Sequence, residues 1–170
     1  MTLNDIYLLS QIVAAIPVAP TLLYLAVQVR QNTKQMRANA SFQWISASGE
    51  MNAVIAGDKQ AASVFRRGWD DPDALDDDER MQYLVHIGHF LQIYSTMFEF
   101  HEDGLLPATQ WHNCRKDIVS IINSAGGQWV WETFGKRGLD PSFVAFVEKL
   151  KDSSEAAYDI STTRKEGAAP

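Results

Sequence analysis

A chain of 170 residues carrying a net charge of −6 at pH 7, with a pI near 5.1, has no excess of basic residues to meet a phosphate backbone, which argues against a nucleic-acid partner. Its single cysteine, Cys114, excludes an internal disulfide and fits a reducing compartment. Setting aside one long apolar stretch and a polar tail leaves about 120 residues, enough for one domain with a modest core.

The apolar stretch comes first. Residues 6–29 hold no charged side chain, and 12 of these 24 residues are Leu, Ile or Val. Their insertion into lipid is worth roughly −5 kcal/mol before costs, and the length suffices for one crossing, so the segment reads as a transmembrane helix. Ser10, Gln11, Thr21 and Gln28 subtract from that sum, and Pro17 and Pro20 loosen the helix. The competing reading is a buried or dimerising helix. A cleaved signal peptide fits less well, because only Asp5 is charged ahead of the run. Arg30, Lys34 and Arg37 follow it, so the N-terminus is expected outside and the remainder in the cytoplasm.

Beyond the span, Met36, Ala40, Trp44, Ala47, Met51 and Val54/Ile55 recur at steps of three and four, which predicts a long helix leaving the membrane. Gly57-Asp58 is expected to break it, and a further short helix should run up to Gly68. Between Asp70 and Glu79 lie seven acids in ten residues. They lack the glycine and the closing glutamate at EF-hand spacing, whereas Asp76 with Glu79 three residues on forms a capping-box pattern. From Asp77 to about Glu102 the pattern predicts one helix burying Met81, Leu84, Val85, Gly88, Leu91, Tyr94, Met97, Phe98 and His101, with Gly104 ending it. His86 and His89 are three apart and could share a metal, joined by Glu99, His101 or His112. No Glu-x-x-His pair accompanies them, so packed or solvated histidines are the expectation.

Pro107 opens a helix with Trp111, Cys114, Ile118, Val119 and Ile122 on its apolar face. Gly126-Gly127 reads as a turn, since no phosphate-loop spacing surrounds it. A short helix over 128–136 carries Trp129, Trp131 and Phe134, and Asp140-Pro141 starts a last one with Phe143, Val144, Phe146, Val147 and Leu150. The tail, 152–170, holds too few large apolar residues to offset about 1–2 kcal/mol per residue of lost backbone freedom and is expected to be disordered.

Tyr24-Leu25-Ala26-Val27-Gln28-Val29-Arg30-Gln31-Asn32-Thr33, Phe65-Arg66-Arg67-Gly68 ahead of an Asp-Pro, and His101-x-x-Gly104-x-Leu106 form a distinctive set with Trp111, Gly126-Gly127, Trp131 and Pro141-x-Phe143. As a set, spread over most of residues 6–151, they resemble a family of small bacterial proteins with an N-terminal membrane span, a helical C-terminal domain and no assigned reaction. The resemblance implies a bacterial origin and a shared helical fold, and brings no catalytic residues with it. Ser95 stands where such proteins often carry an acid, and Pro17 and Pro20 depart from their smoother spans.

The expected architecture is therefore all-α: an extension over 1–5, a transmembrane helix over 6–29, a small antiparallel bundle over 30–151 in the cytoplasm, and a disordered tail over 152–170. No catalytic, cofactor-binding or metal-binding residue can be assigned. The leading functional reading is a non-enzymatic module held in the lipid bilayer of the bacterial inner membrane, with a protein partner that includes a second copy of the chain as an option. The alternative is a small ligand-binding protein or enzyme whose pocket is lined by Trp111, Trp129 and Trp131.

Overall fold

The computed structural model describes residues 2–4, 7, 11 and 18–151. Every regular element among them is helical, as expected, and no strand is present among the described residues. The chain divides into two units, Met1–Asn39 and Ala40–Pro170. Helix α1, Val18–Gly57, contains the boundary.

In the first unit the described part of α1 has no buried side chain. Leu22, Leu23, Tyr24, Leu25, Val27 and Val29 are each between 49 and 69 % exposed. At about 100° per residue these positions lie on all sides of the helix. Among the described residues no helix is long and apolar enough to cross a membrane. Positions 6, 8–10 and 12–17 of the expected span lie outside the described residues, as does the tail 152–170.

The second unit is built from the end of α1, α2 (Lys59–Asp70), a 3-10 turn (Pro72–Ala74), α3 (Asp77–Glu102), α4 (Ala108–Asn123), α5 (Ala125–Val130) and α6 (Pro141–Lys151). A π-helical turn, Trp131–Gly135, and one last α-turn, Lys136–Gly138, continue α5. Ala40 is buried, and Trp44, Ala47 and Met51 pack half-buried against the core at the helical spacing read from the sequence. Asp58 stops α1 and caps α2, its carboxylate accepting the Gln60 N–H at 2.8 Å.

The acidic stretch is a capped entry to α3. Asp76 accepts the Glu79 N–H at 2.9 Å, and Glu79 accepts the Asp76 N–H at 3.2 Å. Two arginines fasten it: Arg67 binds Glu79 and the Ala74 carbonyl, and Arg80 binds Asp73 at 2.6 Å and the Pro72 carbonyl. At the far end Gly104, at φ +68°, lets the chain reverse so that the Leu105 and Leu106 N–H groups both reach the Phe100 carbonyl.

Three local expectations need correction. Gly68 lies inside α2, not after it. Met81 and Val85 are 60 and 63 % exposed, whereas Tyr83 and Ile87 are buried in their stead. Gly126-Gly127 is not a turn but the first turn of α5. Ser124 caps it, accepting the Gly127 N–H at 2.9 Å while donating to the Ile121 carbonyl. Glycine is required there by space, because a Cβ on Gly126 would lie 1.9 Å from the Gly68 carbonyl oxygen and 2.5 Å from the Tyr83 hydroxyl. Helices α2 and α5 cross at backbone contact, with the Tyr83 ring against both.

Candidate functional site

A groove of about 360 Å³ opens in the second unit between the last turns of α1, the first half of α2 and the first three turns of α3. Its apolar lining includes Met51, Val54, Phe65, Met81 and Val85, and its polar groups are Gln82, Tyr83, His86 and His89. No Asp, Glu, Lys or Arg is among its described lining residues. The groove follows from the local folding already described. The Gly57-Asp58 break folds α2 back from α1, and the capped acidic turn sets the start of α3 beside both. The unexpected rotation of α3 then leaves Met81 and Val85 on the outside, where they form one wall.

His86 is the chemically distinctive member. Its ring meets Phe65 edge-on at 5.9 Å and Phe90 at 5.3 Å, and its Nε2 is buried without a hydrogen-bond partner among the described residues. Burial, reinforced by the neighbouring His89, holds its pKa below the ordinary histidine value, so the imidazole is neutral at pH 7. Burial also keeps the Tyr83 phenol protonated, its pKa pushed well above the usual tyrosine value. The wall of the groove is therefore mainly hydrocarbon, without a carboxylate, lysine or arginine among its described residues.

The other residues with any metal spacing do not converge on it. His101 lies at the opposite end of α3, stacked on Trp111 at 4.8 Å, and His112 is exposed on α4. Among the described residues no three His, Cys, Asp or Glu side chains are grouped so as to hold a metal ion.

The tryptophans expected as possible pocket walls are mostly core. Trp111 packs against Phe98 and Phe146, and Trp131 is fully buried with its Nε1 donating to Glu148 Oε1 at 2.6 Å. Lys136 and Lys151 bracket that carboxylate together with Glu132, tying the π-helical turn to α6. Trp129 is half-buried against the same core.

A second polar cluster joins α3 to α4. The Tyr94 hydroxyl donates to Asp117 Oδ2 at 3.1 Å, and burial raises the Asp117 pKa above the ordinary carboxylate range despite that bond. Cys114 is completely buried, and burial with the nearby Asp117 pushes its thiol up to about 12. A thiol held protonated in this way is a packing group, not a nucleophile.

No protein-family model, curated protein or solved structure matches this chain.

Proposed function

We propose that this protein is a membrane-anchored, non-enzymatic helical module of the bacterial inner membrane. In this reading residues 6–29 insert with the N-terminus outside, and the helical part from residue 30 onward stays in the cytoplasm to engage a protein partner. The reading also keeps the chain among the small bacterial proteins whose residue pattern it resembles. The observation that carries it is the first half of α1: Leu22, Leu23, Tyr24, Leu25, Val27 and Val29 are exposed on all sides of one helix. A helix apolar round its whole circumference is stable only where its surroundings are apolar, in a large core or in lipid. Arg30, Lys34 and Arg37 then follow as the cationic flank that is retained on the cytoplasmic side.

Expression of the full chain in a bacterium with a C-terminal alkaline-phosphatase or green-fluorescent reporter tests both parts. The reading expects the protein to remain in the membrane pellet after alkaline carbonate washing, with the fluorescent fusion bright and the phosphatase fusion inactive. Recovery in the washed supernatant would overturn the anchor, and an active phosphatase fusion would overturn the orientation.

A further inference from the structure

We infer that the uncharged amide face of α1 over residues 24–39 is a self-association surface, on which a second, parallel copy of this chain pairs through Gln28, Gln31 and Gln35. The inference rests on the membrane reading, which holds every copy in one orientation and at one depth.

The helix sorts its polar residues by face. At about 100° per residue, Tyr24, Gln28, Gln31, Asn32, Gln35 and Asn39 fall within roughly 60° of a line along the helix through Gln28. Arg30, Lys34 and Arg37 fall roughly 120–180° away, on the other side. All six residues of the amide face are exposed. Tyr24, Gln28, Gln31 and Gln35 also follow the alternating steps of four and three that make a coiled-coil seam, which sets like positions of two parallel helices against each other.

Charge and hydrogen-bonding chemistry select the occupant. No aspartate or glutamate occurs between residues 6 and 49, so two copies meeting through the cationic side would set like charges together with no acid to pair them. Lipid phosphates are drawn to that same cationic side and leave the amides to another partner. A side-chain amide carries both donors and an acceptor, so a row of glutamines is complementary to a second copy of itself. One member is already held in place. Gln28 Nε2 donates to the Tyr24 hydroxyl on the same face at 2.7 Å, which fixes the amide and leaves its carbonyl oxygen to accept from the neighbouring copy. Gln28 also lies in the last turn of the apolar run, where little water competes with a hydrogen bond between helices.

Cysteine cross-linking of the full chain in membranes of an expressing bacterium tests the surface. The natural Cys114 is completely buried, so the unsubstituted protein serves as the blank. Mild oxidation should give a band of twice the monomer mass for Gln31→Cys and Gln35→Cys, and none for Lys34→Cys or Arg37→Cys, which face away. Energy transfer between fluorescently tagged copies, followed as vesicles of the purified chain are diluted with lipid, reads the affinity. Gln28→Ala/Gln31→Ala/Gln35→Ala keeps good helix formers in α1 and should weaken pairing about twentyfold, at roughly threefold per amide pair. Cross-linking that is absent from both faces or equal on both, or a triple variant that pairs as tightly as the unsubstituted chain, would overturn the inference. If the protein still resists carbonate washing in those cases, the anchor stands and the pairing alone falls. Release by carbonate would overturn the membrane reading and the pairing together.

Discussion

Gly126 and Gly49 both sit in helices, and intrinsic propensity treats them alike: replacing glycine by alanine should stabilise an exposed helix by up to about 1 kcal/mol. Their surroundings make the outcomes opposite. Nothing lies within 4 Å of a Cβ on Gly49, so Gly49→Ala should raise stability by that amount. A Cβ on Gly126 meets the Gly68 carbonyl, a backbone atom that moves only if the α2–α5 crossing opens, so Gly126→Ala should lower stability by about 1–3 kcal/mol. Urea denaturation of the two variants checks this, and a gain at Gly126 would refute the close crossing. Here the sequence was legible only in part. A Gly-Gly pair after Ser124 signals a backbone special to glycine, but a turn and a close helix crossing leave the same trace until the partner backbone is known. Asp76 with Glu79 was fully readable, because a capping box is closed by groups three residues apart and needs no tertiary partner.

Among the elements, α3 holds the unit together, and its register shows where periodicity stops being informative. In its second half Leu91, Tyr94, Met97 and Phe98 are buried as their spacing predicts. In its first half Met81, Tyr83, Leu84, Val85 and Ile87 are apolar on more than one side, so local sequence does not decide which side faces inward. Packing against Gly68 and Gly126 decides it, placing the Tyr83 ring at the α2–α5 crossing and turning Met81 and Val85 into the groove. The same limitation hid the groove itself: its walls come from three elements, and none of its residues matches a known site pattern. The contact of α3 with α4 through Tyr94 and Asp117 carries a pH signature. Because burial raises the Asp117 pKa, the folded state holds more protons than the unfolded state from the ordinary carboxylate pKa up to the raised one. The slope of stability with pH is then negative, so this contribution is complete below the ordinary pKa and is lost as pH rises through the raised value. Asp117→Asn keeps an oxygen for the Tyr94 hydroxyl and removes the titration. Its stability relative to the unsubstituted protein should therefore improve as pH rises above the ordinary carboxylate pKa of about 4 and level off once the raised Asp117 value is passed. A difference that is flat or of the opposite slope would mean that Asp117 is not held in a protonation-favouring site.

At the scale of the whole molecule, the chain combines a unit, Ala40–Pro170, whose described residues form an aromatic and aliphatic core, and a helix whose Leu22, Leu23, Leu25, Val27 and Val29 side chains are exposed. The all-helical class was readable because the helical periodicities, caps and glycine stops agree with one another along the chain. The membrane reading came from length and absence of charge over residues 6–29, and it is the claim on which localisation, orientation and partner all depend. Flotation of the purified full chain with vesicles of phosphatidylethanolamine and phosphatidylglycerol, reconstituted from detergent, tests it most directly when compared with an Ile16→Lys/Val18→Lys variant, whose substitutions fall at the middle of residues 6–29. Two cations at helix-centre depth cost roughly 5–7 kcal/mol of insertion free energy on the biological scale, enough to cancel the roughly −5 kcal/mol gained by the apolar residues. The account predicts that the unsubstituted protein floats with the vesicles and resists carbonate, whereas the variant remains folded and stays at the bottom of the gradient. Co-flotation of both proteins, or of neither, would contradict it.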